Sequence, residues 1–452
     1  MDPSRKHIAV LPFPFASHSL SIFTLARMIA ASAPDICISY ISTARSIASV
    51  SKATDFDSIS SIKPYTIRDG LPEGYKPRHP TEAIPLFLNV ARDSFREGIE
   101  RAESERGVKI SCVLSDAFVY FAADIAQDWK VPWVAYWSSG PTSVAVHYYT
   151  DLILEKLVTS AGTDQDHGSL DLIPGLSCFR EQDLPVEVVT YGKSDDAMAG
   201  LLYDMGKQLK RAAAVVVNSF EEMEKDITGH LKTIFSVYLS VGPFQLLTPS
   251  STTTCDDSSG CLSWLSSQRP CSVAYISFGS VIVPPPHEIV ALAEALEESG
   301  VPFLWSFRGD PSQLLPQGFT ERTVNRGKIT AWAPQTSVLN HGSVGAFVTQ
   351  GGWNSVMETI TGGVPMICRP FFGDQKLNRR LMQDVWGIGT GLDGDVVTKP
   401  GMVNALRKLL LQEEGITMRQ KIGRLKMLSV EASSGSGGSS AQCFKRLVDL
   451  LI

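Results

Sequence analysis

Several classes of protein are excluded by what this sequence lacks. Its 452 residues contain no long basic run, and 41 Lys and Arg against 47 Asp and Glu give a formal net charge of −6. This charge balance provides no basic surface to bind a phosphate backbone, so we expect no nucleic-acid partner. Hydrophobic residues make up 44% and charged residues 19% of the chain, which fits neither wholesale disorder nor a membrane-spanning bundle.

Common catalytic and metal-binding patterns are also missing. The eight cysteines form no C-x-x-C pair, which favours reduced core thiols over a zinc site. There is no G-x-S-x-G elbow, P-loop or dinucleotide-binding glycine fingerprint, which argues against an α/β serine hydrolase and an NAD-dependent oxidoreductase. We also predict no bound metal, because each D-x-D pair lies in a polar, loop-like context: Asp55/Asp57, Asp164/Asp166 and Asp393/Asp395.

The amino-terminal segment carries no recognisable targeting signal. Its apolar run from His7 to Phe15 is broken by Pro12 and Pro14 and is too short and too early for a signal peptide. We therefore expect a cytoplasmic protein without a transmembrane segment.

The rest of the chain alternates short β-rich runs with amphipathic stretches, which predicts an α/β fold of two doubly wound halves. Residues 1–245 form the first domain, 246–260 a linker, 261–431 the second domain, and 432–452 a helix that crosses back to the first. Open sheets of this kind bind ligands at the carboxyl ends of their strands, so we expect the functional cleft between the halves. Strands are predicted at His7–Pro12, Ile36–Ile41, Ile110–Ser115, Pro132–Trp137, Ala213–Asn218, Val237–Val241, Ser272–Phe278, Phe303–Phe307, Ile329–Trp332, Val344–Thr349 and Val364–Cys368.

The densest chemistry runs from Trp332 to Gln375. A strand breaks at Gly351-Gly352, and a helix begins around Asn354 and Ser355, which predicts an anion site on a helix amino terminus. Glu358, one turn further, could accept from vicinal hydroxyls, and Trp332 offers a flat face for a base. Singly these are a capped helix, a surface acid and a packed ring; together they indicate a bound nucleotide diphosphate.

A base and an orienting acid are predicted in the first half. His18 begins an amphipathic helix just past the first strand, where the positive helix end favours neutral imidazole. Asp116 ends another strand of the same sheet, so the two side chains could meet and the carboxylate could fix the ring tautomer. Taken separately, either residue could simply cap a helix. We expect Asp116→Asn to be milder than His18→Ala, because Asn keeps the shape.

These motifs resemble those of a known family. The stretch WAPQTSVLNHGSVGAFVTQGGWNSVMETITGGVPMICRPFFGDQ is similar to the signature of plant glycosyltransferases that use uridine diphosphate (UDP) sugars. The first half is most similar to the flavonoid and anthocyanidin 3-O-glucosyltransferase branch, in HIAVLPFPFASH, RDGLPEGY, LSDAFVYFAADIA and WSSGPTSVAVHYY. The resemblance implies a GT-B fold, in which two Rossmann-like domains face each other across a cleft.

The resemblance also implies residue roles. In the first half, His18 would be the general base, Asp116 its orienting acid and Ser138 a neighbour of the sugar. The acceptor positions would be Phe13, Phe118, His147 and Phe372. For the donor, Trp332 would stack on uracil near Ala333, Gln335 and Ser306, Glu358 would hold the ribose, Ser280, Asn354 and Ser355 the phosphates, and Trp353, Asp374 and Gln375 the sugar.

One departure from the family pattern stands out. The family places His and Cys where this chain has Gln350 and Gly351. Gln350 can still donate to a phosphate, but it carries no charge.

The expected activity is inverting transfer of a sugar to a phenolic hydroxyl of a flavonoid, at the 3-position of a flavonol or anthocyanidin. Gln at position 375 accompanies glucose in this family, so UDP-glucose is the expected co-substrate, with no permanently bound cofactor and no metal. We expect a monomer. The alternatives are a UDP-rhamnose- or UDP-galactose-using enzyme, or a nucleotide-sugar-binding protein whose turnover is impaired by Gln350.

Overall fold

The chain folds into two compact units that do not follow sequence order strictly. The computed structural model describes residues 5–53, 56, 59–75, 77, 82–160, 170–193, 196–248, 257–279, 282–435 and 437–452. The first unit comprises Met1–Ser177, Glu187–Pro249 and Ala432–Ile452, and the second Cys178–Val186 and Ser250–Glu431. A short segment from the first half of the sequence therefore belongs to the second unit.

The first unit contains, within its described residues, a seven-stranded parallel sheet of order β3-β2-β1-β4-β5-β6-β7. Most of its strands are short apolar runs buried on both faces, as expected of a parallel sheet covered by helices. The strands are β1 His7–Leu11, β2 Cys37–Thr43, β3 Ile62–Ile67, β4 Cys112–Asp116, β5 Trp133–Trp137, β6 Ala214–Val217 and β7 Tyr238–Ser240. The helices are α1 His18–Ser32, α2 Ala44–Ala53, α3 Ala83–Arg106, α4 Ala122–Trp129, α5 Pro141–Tyr148, α6 Thr150–Ser160, α7 Val186–Thr190, α8 Ala197–Gln208, α9 Lys225–Ile234, α10 Phe244–Leu247 and the carboxyl-terminal α20 Ser439–Leu451.

The second unit repeats the same architecture. Its described residues form a six-stranded parallel sheet of order β10-β9-β8-β11-β12-β13. In this Rossmann-like order, β9 and β10 are added on one side of β8, and β11, β12 and β13 on the other. The strands are β8 Val273–Ile276, β9 Phe303–Ser306, β10 Gly327–Thr330, β11 Val344–Thr349, β12 Met366–Cys368 and β13 Gly389–Gly391. The helices are α11 Cys261–Ser266, α12 Pro286–Ser299, α13 Pro311–Leu314, α14 Phe319–Thr323, α15 Gln335–Leu339, α16 Trp353–Gly362, α17 Gln375–Arg380, α18 Lys399–Leu410 and α19 Glu413–Ser433.

The predicted strands all appear, most of them one or two residues shorter at an end. Two more are present: β3, which the sequence analysis missed, and the glycine-rich β13. Three strands are displaced along the chain: β2 and β4 end one or two residues later than predicted, and β10 runs from Gly327 to Thr330, which leaves Trp332 in the loop that follows.

Each sheet carries its own hydrophobic core. In the first unit, α20 contributes Leu447 and Leu451 to a cluster that also contains Ile8, Val10 and Leu25. In the second, a cluster lies between the sheet and the helices α12 and α18.

The segment Cys178–Val186 is bound to the second unit through a buried carboxylate. Asp183 is fully buried, and its Oδ1 accepts from the Arg379 guanidinium at 3.1 Å. Its Oδ2 lies 3.4 Å from Arg380 Nε, which also donates to the Cys178 carbonyl at 2.9 Å. Because a buried carboxylate is tolerated only when it is paired, these two arginines at the end of α17 hold the segment in place.

Candidate active site

The predicted base and acid meet at the carboxyl edge of the first sheet. Asp116 is the last residue of β4, His18 is the first residue of α1, and β4 pairs with β1. His18 Nδ1 lies 2.8 Å from Asp116 Oδ2. The Asp116 side chain is fully buried, whereas that of His18 is 17% exposed. The geometry therefore shields the carboxylate and leaves part of the imidazole accessible.

The second oxygen of Asp116 is also fixed. Asp116 Oδ1 accepts the backbone N–H of Phe118 at 2.9 Å. The carboxylate thus receives one hydrogen bond from the turn after β4 and another from His18, so it cannot rotate without breaking one of them.

Aromatic rings surround the imidazole. The rings of Phe13 and Phe118 approach His18 edge-on, at centroid distances of 5.3 and 4.7 Å. Phe15 and Phe87 extend this cluster behind Phe13, and neither was predicted from the sequence. The His18 imidazole therefore lies in an apolar, ring-lined environment suited to a flat aromatic ligand.

The other predicted first-half residues lie beside the next strand. Ser138 directly follows β5 and is half-buried. His147, on α5, is buried and packs on Trp137, the last residue of β5, at a centroid distance of 5.5 Å. Its Nδ1 has no hydrogen-bonding partner among the described residues, and burial lowers the pKa of His147 to about 4. This imidazole is neutral at physiological pH.

In the second unit, the predicted helix begins where the sequence placed it. α16 starts at Trp353, directly after Gly352, so that Trp353, Asn354 and Ser355 form its first turn. The N–H groups of such a turn point out of the helix and suit an anion. Trp353 and Ser355 are buried, and Asn354 is half-buried.

A hydrogen-bonded network lies one turn further along α16. Glu358 accepts from Gln335 Nε2 at 2.6 Å and from the Thr336 hydroxyl at 2.7 Å. Gln335 Nε2 also donates to the Ser355 hydroxyl at 3.1 Å, and its Oε1 accepts from the buried Tyr275 hydroxyl at 3.3 Å. Burial raises the pKa of the Glu358 carboxyl. Tyr275 and Thr336 were not predicted, since neither carries a local sequence signal.

The predicted base-stacking surface lies at the same end of the second sheet. Trp332 is 62% exposed and sits in the loop between β10 and α15, next to the buried Ala333. Ser306 is the last residue of β9, the strand that pairs with β10. The exposed indole fits a surface on which a base could stack.

The predicted sugar-binding residues lie where β12 passes into α17. Asp374 is the N-cap residue of α17 and Gln375 its first helical residue. Gln375 Oε1 accepts the backbone N–H groups of Phe371 and Phe372, at 2.8 and 3.3 Å. Only an oxygen can accept these two bonds, so the amide NH₂ of Gln375 points the other way. Asn378, also unpredicted, bonds to Asp374 from one turn along α17.

Gln350 and Gly351, where the chain departs from the family pattern, lie in close-packed surroundings. Gly351 has a φ of +79°, and a Cβ atom there would lie 2.5 Å from Cys368 Sγ. A Cβ on Gly279 would likewise lie 2.4 Å from Gln350 Nε2. Gly351 is thus closely packed against Cys368, and the Gln350 side chain is closely packed against Gly279. Ser280, predicted as a phosphate contact, lies outside the described residues.

Nothing in the described part of the chain groups three or more His, Cys, Asp or Glu side chains as a metal would require. Asp395 is paired with Arg379, whose Nε lies 3.4 Å from its Oδ1. The other two D-x-D pairs lie outside the described residues. Over the same described ranges, no helix is both long and apolar enough to cross a membrane.

Two Rossmann-like units, with an imidazole–carboxylate pair in one and a helix amino terminus suited to an anion in the other, have the architecture of the GT-B class of transferases. A solved structure described as UDP-glucose: anthocyanidin 3-O-glucosyltransferase in complex with UDP superposes with a TM-score of 0.90 at 39% identity, covering 99% of each chain.

The family model described as "UDP-glucoronosyl and UDP-glucosyl transferase" matches residues 79–425, and the chain belongs to this family of UDP-glycosyltransferases. A flavonol 3-O-glucosyltransferase of Actinidia chinensis var. chinensis is 45% identical over 98% of this chain and 96% of its own length. An anthocyanidin 3-O-galactosyltransferase of Rhododendron delavayi is 42% identical over 99% of this chain and 97% of its own length.

Proposed function

We propose that this protein transfers glucose from UDP-glucose to the 3-hydroxyl group of a flavonol or anthocyanidin, with inversion at the anomeric carbon. The observation that carries the proposal is the 2.8 Å contact between His18 Nδ1 and Asp116 Oδ2 inside a ring-lined environment. The activities for which the similar Actinidia protein and the structural neighbour are named support the acceptor class.

The acceptor half of the reaction is a proton transfer. A carboxylate can only accept, so the neutral imidazole carries its proton on Nδ1 and presents the lone pair of Nε2. In our proposal, Nε2 takes the proton of the phenol as its oxygen attacks, and Asp116 stabilises the imidazolium that forms. The edges of Phe13 and Phe118 beside the ring suit a planar polyphenol as the acceptor.

The donor half is a single displacement. The acceptor oxygen forms a bond to the anomeric carbon while the bond from that carbon to the β-phosphate oxygen breaks, and the electron pair leaves with UDP. The first turn of α16 offers N–H groups to the phosphate charge that develops, so we propose that no metal is needed. Direct attack without a covalent sugar intermediate gives the β-linked glucoside.

Two observations bear on the identity of the donor sugar. One protein 42% identical to this chain is named a galactosyltransferase, so overall similarity does not choose between glucose and galactose. The preference for glucose rests on the family resemblance, in which Gln at position 375 usually accompanies glucose. The NH₂ group of Gln375 is directed away from the two backbone N–H groups and can donate to a sugar hydroxyl.

The decisive experiment is a competition among nucleotide sugars. Purified protein is incubated with quercetin and equimolar UDP-glucose, UDP-galactose and UDP-rhamnose, and the products are identified by mass spectrometry and by the anomeric proton couplings. We expect a β-glucoside at the 3-position as the main product. A dominant galactoside or rhamnoside would overturn the donor assignment, and UDP-glucose binding without turnover would favour the sugar-binding alternative.

A matched pair of variants tests the base. His18→Ala should lower the rate by roughly 10² to 10⁴-fold, the range expected for loss of a general base. His287→Ala removes an exposed histidine at the start of α12 and should leave the rate unchanged. Near-normal turnover by His18→Ala would refute the mechanism.

The proposal includes a monomer acting in the cytoplasm without nucleic acid. The described cysteines are all free thiols, as expected in a reducing compartment. Size-exclusion chromatography with light scattering tests the monomer, and fractionation of the tagged protein tests the compartment.

A further inference from the structure

Asn378 connects two parts of the second unit that the sequence keeps apart. It lies on α17, is 2% exposed, and donates through Nδ2 to the Gly351 carbonyl at 2.9 Å. The same nitrogen donates to Asp374 Oδ2, also at 2.9 Å. An amide nitrogen has two protons, and each has an acceptor here.

The two acceptors belong to functionally distinct segments. Gly351 lies between β11 and α16, immediately before the helix end proposed to face the diphosphate. Asp374 caps α17 and is proposed to bind the sugar. The Asn378 amide therefore links the segment before the helix end proposed to face the diphosphate with Asp374, the side chain proposed to bind the sugar.

We propose that Asn378 is a positioning residue for sugar transfer, which fixes the orientation of the Asp374 carboxylate relative to Gly351. This inference rests on the proposed function, because it assigns Asp374 to the sugar.

The residue type supports this role. Asn is a poorer helix former than Ala or Leu, so its place inside α17 needs a compensating interaction. Asp has the same shape but no N–H donor, and at position 378 it would face both the Asp374 carboxylate and the Gly351 carbonyl. Ala would leave both acceptors without this donor. Gln375 is fixed on the same helix by the backbone of Phe371 and Phe372, so both sugar-reading side chains are held by hydrogen bonds of their own unit.

A double-mutant cycle tests whether Asn378 acts through Asp374. The proteins are wild type, Asn378→Ala, Asp374→Ala and the double variant, with Asn404→Ala as the control, because Asn404 is exposed on α18. For each, kcat and KM are measured with UDP-glucose, the affinity for UDP by calorimetry, and the melting temperature.

We expect Asn378→Ala to lower kcat/KM for UDP-glucose by about tenfold, since small displacements of positioning groups cost factors of this size. In the Asp374→Ala background the same change should cost less than about twofold, because coupled residues are not additive. UDP affinity, which involves no sugar, should change by less than about threefold. Asn378→Asp should be at least as impaired as Asn378→Ala.

Two results would overturn the inference and show that Asn378 is only a structural residue. One is additive effects of the two substitutions on kcat/KM, and the other is a loss of UDP affinity as large as the loss of kcat/KM for UDP-glucose. If Asn378→Ala shows no folding transition, Asn378→Ser replaces it in the same cycle. The failure of the proposed function would look different, since wild type itself would then show no transfer from UDP-glucose.

Discussion

Replacing Asp116 with asparagine is the most discriminating perturbation of the proposed base. Asp116 Oδ1 accepts the Phe118 N–H at 2.9 Å, and Oδ2 contacts His18 Nδ1 at 2.8 Å. In Asp116→Asn the amide oxygen must stay on the Phe118 side, because only an oxygen can accept that bond. The NH₂ group then faces His18 and donates to Nδ1. This forces the proton onto Nε2, and the ring can no longer accept one from the phenol.

The magnitude follows from two losses. A hydrogen bond to a charged partner contributes about 1.5 to 3 kcal/mol, and this stabilisation of the imidazolium disappears. Imposing the wrong tautomer adds about 1 kcal/mol, the net strength of an ordinary hydrogen bond. A total of about 2.5 to 4 kcal/mol corresponds to a rate loss of roughly 10² to 10³-fold. The sequence alone predicts a milder effect for Asp116→Asn than for His18→Ala, and the Phe118 contact brings the two expected losses close together.

The assay compares kcat for wild type, Asp116→Asn and Asp116→Ala at saturating UDP-glucose and flavonol. Asp116→Ala removes the charge without imposing a tautomer, so it should be about fivefold faster than Asp116→Asn, equivalent to about 1 kcal/mol. More acidic phenols need less help from a base, so with them the difference in kcat between each variant and wild type should be smaller. The reasoning fails if Asp116→Asn keeps more than about a tenth of wild-type activity or exceeds Asp116→Ala.

Three further predictions concern other parts of the molecule. Excess EDTA should leave the rate unchanged if, as proposed, the first turn of α16 supplies the phosphate contacts; loss of activity restored by Mg²⁺ or Mn²⁺ would contradict this. Gln350→His should raise kcat/KM by about fivefold through a charge-assisted phosphate contact, more at pH 6 than at pH 8, whereas a tenfold fall would mark Gln350 as an adapted residue. Burial raises the pKa of Glu224 to about 7, although its carboxylate accepts from Thr142. Because this folded-state pKa lies above the ordinary value, the contribution to stability is present below about pH 4.5 and is lost as the pH rises through 7. The melting temperature should therefore fall more from pH 5 to pH 8 in wild type than in Glu224→Gln, and parallel profiles would disprove the assignment.

The strands that the sequence reveals least are those at sheet edges. β3 reads IKPYTI, with a proline inside it and only half of its residues buried, and it pairs with β2 alone. β13 is a three-residue GTG run paired with β12 alone. Central strands are buried on both faces and therefore appear as continuous apolar runs, whereas the proline in β3 and the glycines in β13 give these two edge strands the pattern of a loop.

The site shows a similar division. His18 and Asp116 are predictable because Asp116 ends a recognisable strand and His18 begins the helix after another, and the parallel sheet brings strand ends to one edge. Asn378 and Tyr275 are not, since their role depends on atoms far along the chain: Gly351 is 27 residues from Asn378, and Gln335 is 60 residues from Tyr275. Hydrogen bonds between residues this far apart produce no local motif, spacing or composition that could be recognised in the sequence.

The association of Cys178–Val186 with the second unit affects how this protein can be recombined with its relatives. A chimera joined once, within the polar stretch after Pro249, would take Arg379 and Arg380 from one parent and the carboxylate at position 183 from the other. Excising Ser250–Glu431 alone would leave both guanidinium groups without that buried partner, a loss that costs several kcal/mol when a buried ion pair is broken. The exchangeable module therefore consists of two pieces of chain, and moving both keeps Asp183 with its own Arg379 and Arg380.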